Sequence, residues 1–354
     1  MNSVRSAEPI IEPDLPIIDA HHHLWLRSEA ALAELDKAEN LTAQTLASTF
    51  RRRARYLLDE FLADVRTGHN VRATVFVQVH TMYRTSGPEA MKSVGEVEFA
   101  NGMAAMAASG LFGDTAVCAG IVGCVDLRLG DDAREVLQAH IRAGGGRYRG
   151  IRALGVVYDN DPKMLGAFGG APHLLLDTKF REGFRHLEPL RLSFDAWLLE
   201  YQLADLTDLA RAFPGTQIIV NHVGGLFGIG AHGGRMQERF MRWREHIRAL
   251  SQCPNVTMKL GGLGMPTCGF RSSFATTCAS SEELAREWRP YIETCVEAFG
   301  ADRCMFESNY PVDAATTSYP VLWNAFKRIV ASASKDEKAA LFSGTANRVY
   351  RLAV

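Results

Sequence analysis

The chain carries no excess of either charge, since 39 Lys and Arg stand against 40 Asp and Glu for a net of -1. That balance removes the electrostatic reason to expect nucleic acid or an anionic membrane surface as a partner. The one basic run, Arg51 to Arg55, is short and precedes an amphipathic stretch, which suits a solvated helix start. No apolar run approaches the ~18 residues that a membrane span needs, and no charged-then-apolar leader opens the chain. A cytoplasmic protein is the default expectation. Cysteines 118, 124, 253, 268, 278, 295 and 304 are odd in number and scattered, with no CxxC pair and no zinc-ribbon spacing, so they read as reduced thiols. Neither GxGxxG after the first strand nor GxxxxGK[ST] anywhere is present, which disfavours nucleotide-binding open sheets. No repeat of 20 to 50 residues points to a solenoid.

What is present is the composition of a globular protein with a large core, 47% hydrophobic and 22% charged. From about residue 16, short apolar runs rich in β-branched residues alternate with longer stretches of 3.6-residue period, the signature of repeated βα units. Strands are expected at Ile17 to Leu24, Ala73 to His80, Gly120 to Arg128, Gly150 to Gly155, Leu192 to Trp197, Gln217 to His222, Val256 to Leu260 and Arg303 to Ser308. Helical stripes fall between them, at Tyr56 to Arg66, Glu98 to Ala108, Ala133 to Arg142, Leu203 to Phe213, Met236 to Leu250, Glu282 to Phe299 and Val321 to Ala333. Eight strands alternating with helices, without a break in composition, imply a (β/α)8 TIM barrel of α/β class, with a doubly wound sheet as runner-up. Residues 1–15, rich in Pro and Glu, read as a loose N-terminal arm, and residues 16–354 as one domain. The long connections, 25–55, 223–238 and 261–281, follow the carboxyl ends of strands, where loops shape a substrate site.

The first strand ends Asp19-Ala20-His21-His22-His23. A period of two sends Asp19, His21 and His23 to one face, the lumen of a barrel, with Ala20 and His22 opposite. Two imidazoles ~7 Å apart in Cα can converge on one divalent ion. The bland readings are a solvated strand end or an expression tag, but this run completes an apolar strand. His222 ends the sixth apolar run, where an imidazole can bind a metal or exchange protons near neutral pH. Alone it could equally be a satisfied hydrogen-bonding residue. Arg149 and Arg152 lie three apart on the fourth strand, so at most one points inward. Arg152, nearer the carboxyl end, is better placed to hold a carboxylate or a lactone oxygen. Gln78 and His80 share a face at the end of the second strand, as do Asp195 and Trp197 on the fifth, and Lys259 sits inside the apolar seventh.

These blocks together resemble the amidohydrolase-related family, in its lactonase-like branch, which includes 2-pyrone-4,6-dicarboxylate lactonase and sugar lactonases. The resemblance spans nearly the whole chain. It rests on Asp19 to Trp25, Arg149-Gly150-Ile151-Arg152, Asn221 to Gly224, Asn255 to Leu260, Met305 to Val312 and Thr345 to Tyr350. It implies a hydrolase in which water attacks a lactone or ester carbonyl, with His21, His23 and His222 lining the centre and Arg152 binding substrate. The sequence departs from the family where the last strand usually reads Ser-Asp-Trp-Pro, because Asn309 stands in place of the aspartate. An amide cannot take a proton from water as a carboxylate can. Three repairs stay open: Glu307, on the same face but deeper, Asp313 just beyond, or His222 alone. A single divalent metal such as zinc on His21, His23 and His222 and metal-independent action both stay open. The partner is a small-molecule substrate, with a homo-oligomer neither required nor excluded. Two alternatives remain, a metal-dependent decarboxylase of aromatic or muconate-type acids, and a barrel that binds a ligand without acting on it.

Overall fold

The computed structural model describes residues 8–166, 169–352 and 354. All eight expected strands are present: β1 (Ile17–His22), β2 (Val71–Val77), β3 (Ala116–Gly123), β4 (Tyr148–Ile151), β5 (Ser193–Ala196), β6 (Ile218–Val220), β7 (Val256–Leu260) and β8 (Cys304–Phe306). They pair in parallel in chain order, which is the topology of a (β/α)8 barrel. The circle closes just beyond β8, where the Asn309 amide donates to the His21 carbonyl at 2.8 Å and the His23 amide to the Tyr310 carbonyl at 2.7 Å.

Each apolar stripe read as a helix is one, from Leu58–Val65 through Tyr319–Ile329. The first long connection holds more order than expected. A ribbon pairs Trp25–Leu26 with Arg55–Tyr56, and helices Glu29–Asp36 and Leu41–Arg52 lie between its strands. Ser28 and Asn40 start those helices by accepting from the Ala31 and Ala43 amides, as short polar side chains do at an N-cap. Several strands end earlier than their apolar runs, because polar residues bend the chain. Asp126, for example, accepts from the Arg128 amide just past β3.

Strand alternation separates two apolar layers. Ile18, Val75, Val77, Val122, Ile219 and Met305 face the lumen, which Val349 and Tyr350 of the C-terminal helix and Leu352 just beyond it fill from below. Their sequence neighbours Ile17, Phe76, Ile121, Ile218, Val220 and Phe306 pack outward against the helices. The described part of the N-terminal arm is not loose. Ile11 donates its amide to Asn324, and Lys327 reaches the Ile11 and Glu12 carbonyls.

One expectation about β1 fails. The pairing of β1 with β2 shifts register between Asp19 and His22, so the face changes within the strand. Ala20 therefore joins the lumen with Ile18, and Asp19 turns toward β8. Its carboxylate accepts from the Ser308 amide at 2.9 Å, the Ser308 hydroxyl at 2.6 Å and the Tyr319 hydroxyl at 3.1 Å. His22 points outward, stacking on Phe61 with 4.1 Å between ring centres. Asp19 is thus a clasp between the first and last strands rather than part of the lumenal set. Asp19→Asn should lower stability by roughly 2 kcal/mol, because an amide leaves buried donors unmatched. Thermal denaturation measures this; a melting temperature equal to that of the parent would contradict the assignment.

Candidate active site

Above the apolar plug, side chains from six strands or the residues just after them meet in the lumen. His23 Nδ1 lies 2.7 Å from the Val77 carbonyl, so it carries the proton, donates to that oxygen and leaves Nε2 with a lone pair. His222 Nδ1 lies 2.7 Å from Glu307 Oε1, which also accepts the His222 amide at 3.1 Å. In its neutral form His222 then carries its lone pair on Nε2.

His21 stands between them, with Nε2 3.3 Å from His23 Nε2 and Nδ1 2.8 Å from Glu307 Oε2. Neither neutral tautomer of His21 suits both contacts. A proton on Nδ1 sets two lone pairs against each other at the Nε2 atoms, and a proton on Nε2 sets a lone pair against a carboxylate. Protonating both nitrogens is opposed by burial, then by Lys259 and the neighbouring imidazoles, which push His21 well below its ordinary range. Glu307 Oε2, fully buried, has no hydrogen-bond donor. Donor atoms of His21, His222 and Glu307 all lie within 4.8 Å of one another. A nitrogen and carboxylate set with converging lone pairs and an unmatched buried oxygen fits a divalent cation.

Two cations flank this cluster. Lys259 Nζ donates to Asp195 at 2.8 Å and lies 3.4 Å from His21 Nδ1. Asp195 Oδ1 also accepts from the Tyr350 hydroxyl at 2.9 Å and from Asn221 at 3.1 Å. Arg152 donates to the Gln78 carbonyl and lies 3.5 Å from His21 Nε2. Burial tends to raise Glu307, but the His222 charge and hydrogen bonds, with the field of Lys259, hold it below the usual carboxylate range.

Local backbone explains the fit. His222 and Val223 are both left-handed, at φ 54° and 48°, conformations that cost energy and gather at functional sites. After β7 come Gly261 and Gly262. A Cβ on Gly261 would stand 2.4 Å from Glu307 Cγ, and one on Gly262 2.3 Å from His222 Nδ1. Only glycine admits both side chains.

Among the expected residues, His21, His23, His222, Glu307, Arg152, Asp195 and Lys259 come together. Trp197 is half-buried at the rim, 5.6 Å from the Arg152 guanidinium, and packs with Val157, Leu199 and Phe227. Gln78 and His80 do not form a shared strand face. β2 stops at Val77, Glu96 holds the Val79 and Thr81 amides, and His80 is exposed in a left-handed turn. Gln78 is buried with its carbonyl on Arg152. Asn309 and Asp313 pair with each other at 2.7 Å, and Asp313 also accepts the Gly264 amide. Neither side chain bonds to a histidine. Tyr350 and the two glycines went unread, although Gly-Gly directly after a strand and the C-terminal Thr345 to Tyr350 block were visible.

Residues 18–352 match the protein-family model described as Amidohydrolase. The chain belongs to the amidohydrolase family. This amidohydrolase is 31% identical over 339 residues to a protein of Sinorhizobium fredii described as uncharacterized protein y4mH, covering 96% of this chain and 99% of that one. It is 27% identical over 241 residues to an L-fucono-1,5-lactonase of Burkholderia multivorans, covering 68% and 73%. Among solved structures, an amidohydrolase from Burkholderia multivorans with bound zinc superposes with a TM-score of 0.68 at 23% identity, over 95% of this chain and 99% of that one. The structure described as a putative 2-pyrone-4,6-dicarboxylic acid hydrolase from Pseudomonas putida gives 0.60 at 17%, over 96% and 99%. Those structural likenesses establish the barrel; membership of the family makes the chain a hydrolytic enzyme.

The Asn309–Asp313 pair carries a prediction. Asn309→Asp sets a second carboxyl against Asp313 and removes the donor, so the variant should lose roughly 1–3 kcal/mol of stability and gain no activity. Denaturation and turnover together check this. A variant as stable as the parent and more active would show that residue 309 is the natural place of the base.

Proposed function

We propose that this amidohydrolase is a lactonase-like hydrolase that opens a carboxylated or sugar-acid lactone by water attack on the carbonyl, with residues 16–354 acting as one domain. The observation that carries the reading is the Glu307 carboxylate on His222 Nδ1, which leaves His222 Nε2 as a base whose tautomer is held from behind. In this reading the Glu307–His222 pair takes the proton as water attacks. Arg152 meets the carbonyl oxygen and stabilises the tetrahedral oxyanion. The ring C–O bond then breaks, and the proton returns to the leaving alkoxide. Lys259, tied to Asp195, adds to the burial that disfavours a proton on His21, and the wall of Trp197, Leu199 and Phe227 restricts water around the substrate. A divalent ion such as zinc, held by His21, His222 and Glu307, would take the His222 lone pair as a ligand and in place of that base would lower the pKa of water and polarise the carbonyl. The lactonase named among the relatives supports the reaction class. A decarboxylase of this barrel type remains the alternative reading, and Asn309 weighs against it by leaving no aspartate at the position that such enzymes keep.

A pH-indicator screen of lactones tests the proposal. Turnover of at least one carboxylated or sugar-acid lactone is expected. Glu307→Gln should cut kcat by about 100-fold, and Arg152→Met should lower kcat/KM by at least 10-fold. Folded enzyme that opens no lactone, but releases carbon dioxide from a hydroxybenzoate, would transfer the reading to decarboxylation.

A further inference from the structure

Some arginines removed from water in this chain are answered by carboxylates, as Arg53 is by Asp64 at 2.8 Å and Arg239 by Glu200. Two are not. Among the described residues, neither Arg152 nor Arg27 has a carboxylate within ion-pair distance, and the Nε atom of each is buried without a partner. Arg152 belongs to the cluster already described. Arg27 does not, and it stands on the loop that leaves β1.

Arg27 is held in place by aromatic rings. Its guanidinium carbon lies 4.0 Å from the centre of Phe50 and 4.8 Å from the centre of Trp25. Trp25 is itself fixed, donating from Nε1 to the Arg53 carbonyl at 2.6 Å. The Trp25 ring also stacks toward His23, with 6.2 Å between centres. Those two steps keep the Arg27 guanidinium within about 11 Å of the His23 ring. Burial pulls Arg27 down to about 10, so it stays cationic at neutral pH.

A rigid, desolvated guanidinium with spare donors and no anion nearby is matched to a carboxylate, which can take two of its N–H groups at once. We propose that Arg27 is an anion subsite at the rim of the active site, and that the substrate carries a carboxylate remote from the carbonyl that reacts at the histidines. This rests on the lactonase reading for the identity of the reacting group. Packing of Arg27 on Trp25 and Phe50 alone would give a cation–π stack with no ligand preference.

Calorimetric titration separates the two. The probes are linear dicarboxylates from succinate to suberate, each paired with the monocarboxylate of the same carbon number. They resemble an opened lactone acid with and without the second anion. The parent enzyme should bind its best dicarboxylate about 10-fold more tightly than the matched monocarboxylate. Arg27→Met should remove that preference, and Arg27→Lys should keep part of it, with far-UV circular dichroism showing both variants folded. If the methionine variant does not fold, the lysine variant decides, because a stack without a ligand gives no preference for it to weaken. No dicarboxylate preference in the parent, or an undiminished one in Arg27→Met, overturns the proposal. Lactone turnover without a dicarboxylate preference would sink this subsite alone. A dicarboxylate preference in an enzyme that opens no lactone would sink the lactonase reading and leave the subsite standing.

Discussion

The buried carboxylate of Glu307 is the interaction around which the upper barrel is arranged. Removing a carboxylate from water is costly unless donors replace the lost hydration. Here the His222 amide and Nδ1 supply them on one oxygen, while His21 approaches the other. That arrangement constrains its neighbours. His222 accepts a left-handed backbone to bring both donors to one oxygen, and Gly261 and Gly262 give up side chains to make room. Lys259 and Asp195, held by Tyr350 from below, neutralise each other beside it.

Much of this was legible in the sequence. Parallel strands covered on both faces read as apolar runs, so all eight were found, together with the seven helical stripes between them. His21, His23, His222, Arg152 and Lys259 were found because each interrupts or ends such a run. The misses have physical causes. A bulge is invisible to strict alternation, so Asp19 was placed with His21 although a register shift separates them. Gln78 and His80 were read as strand because the turn that ends β2 is imposed by Glu96, distant in sequence. The helices within residues 25–55 carried their signals in Ser28 and Asn40, caps that identify a helix start only when sought.

Asn309 changes meaning most. Read along the chain, it is the loss of a base. In the fold, its side chain is committed to Asp313, and the carboxylate that meets the histidines stands two residues earlier. Both residues lie past β8, where Asn309 is left-handed at φ 52°, so its side chain leaves the face that Glu307 holds. Glu307 lies deeper, and its longer side chain compensates for that depth. Arg152 and Arg27 then add two guanidiniums without carboxylate partners near a centre whose own charges balance, a polarity suited to an acidic substrate.

The central claim is that Glu307 has replaced residue 309 as the carboxylate of this amidohydrolase centre. Calorimetric titration of zinc into metal-stripped protein tests it most directly, comparing the parent with Glu307→Gln and Asn309→Ala. The account predicts one ion per chain in the parent, little change in Asn309→Ala, and affinity lower by at least 10-fold in Glu307→Gln. Undiminished binding in Glu307→Gln, or loss of the site in a folded Asn309→Ala, would contradict it.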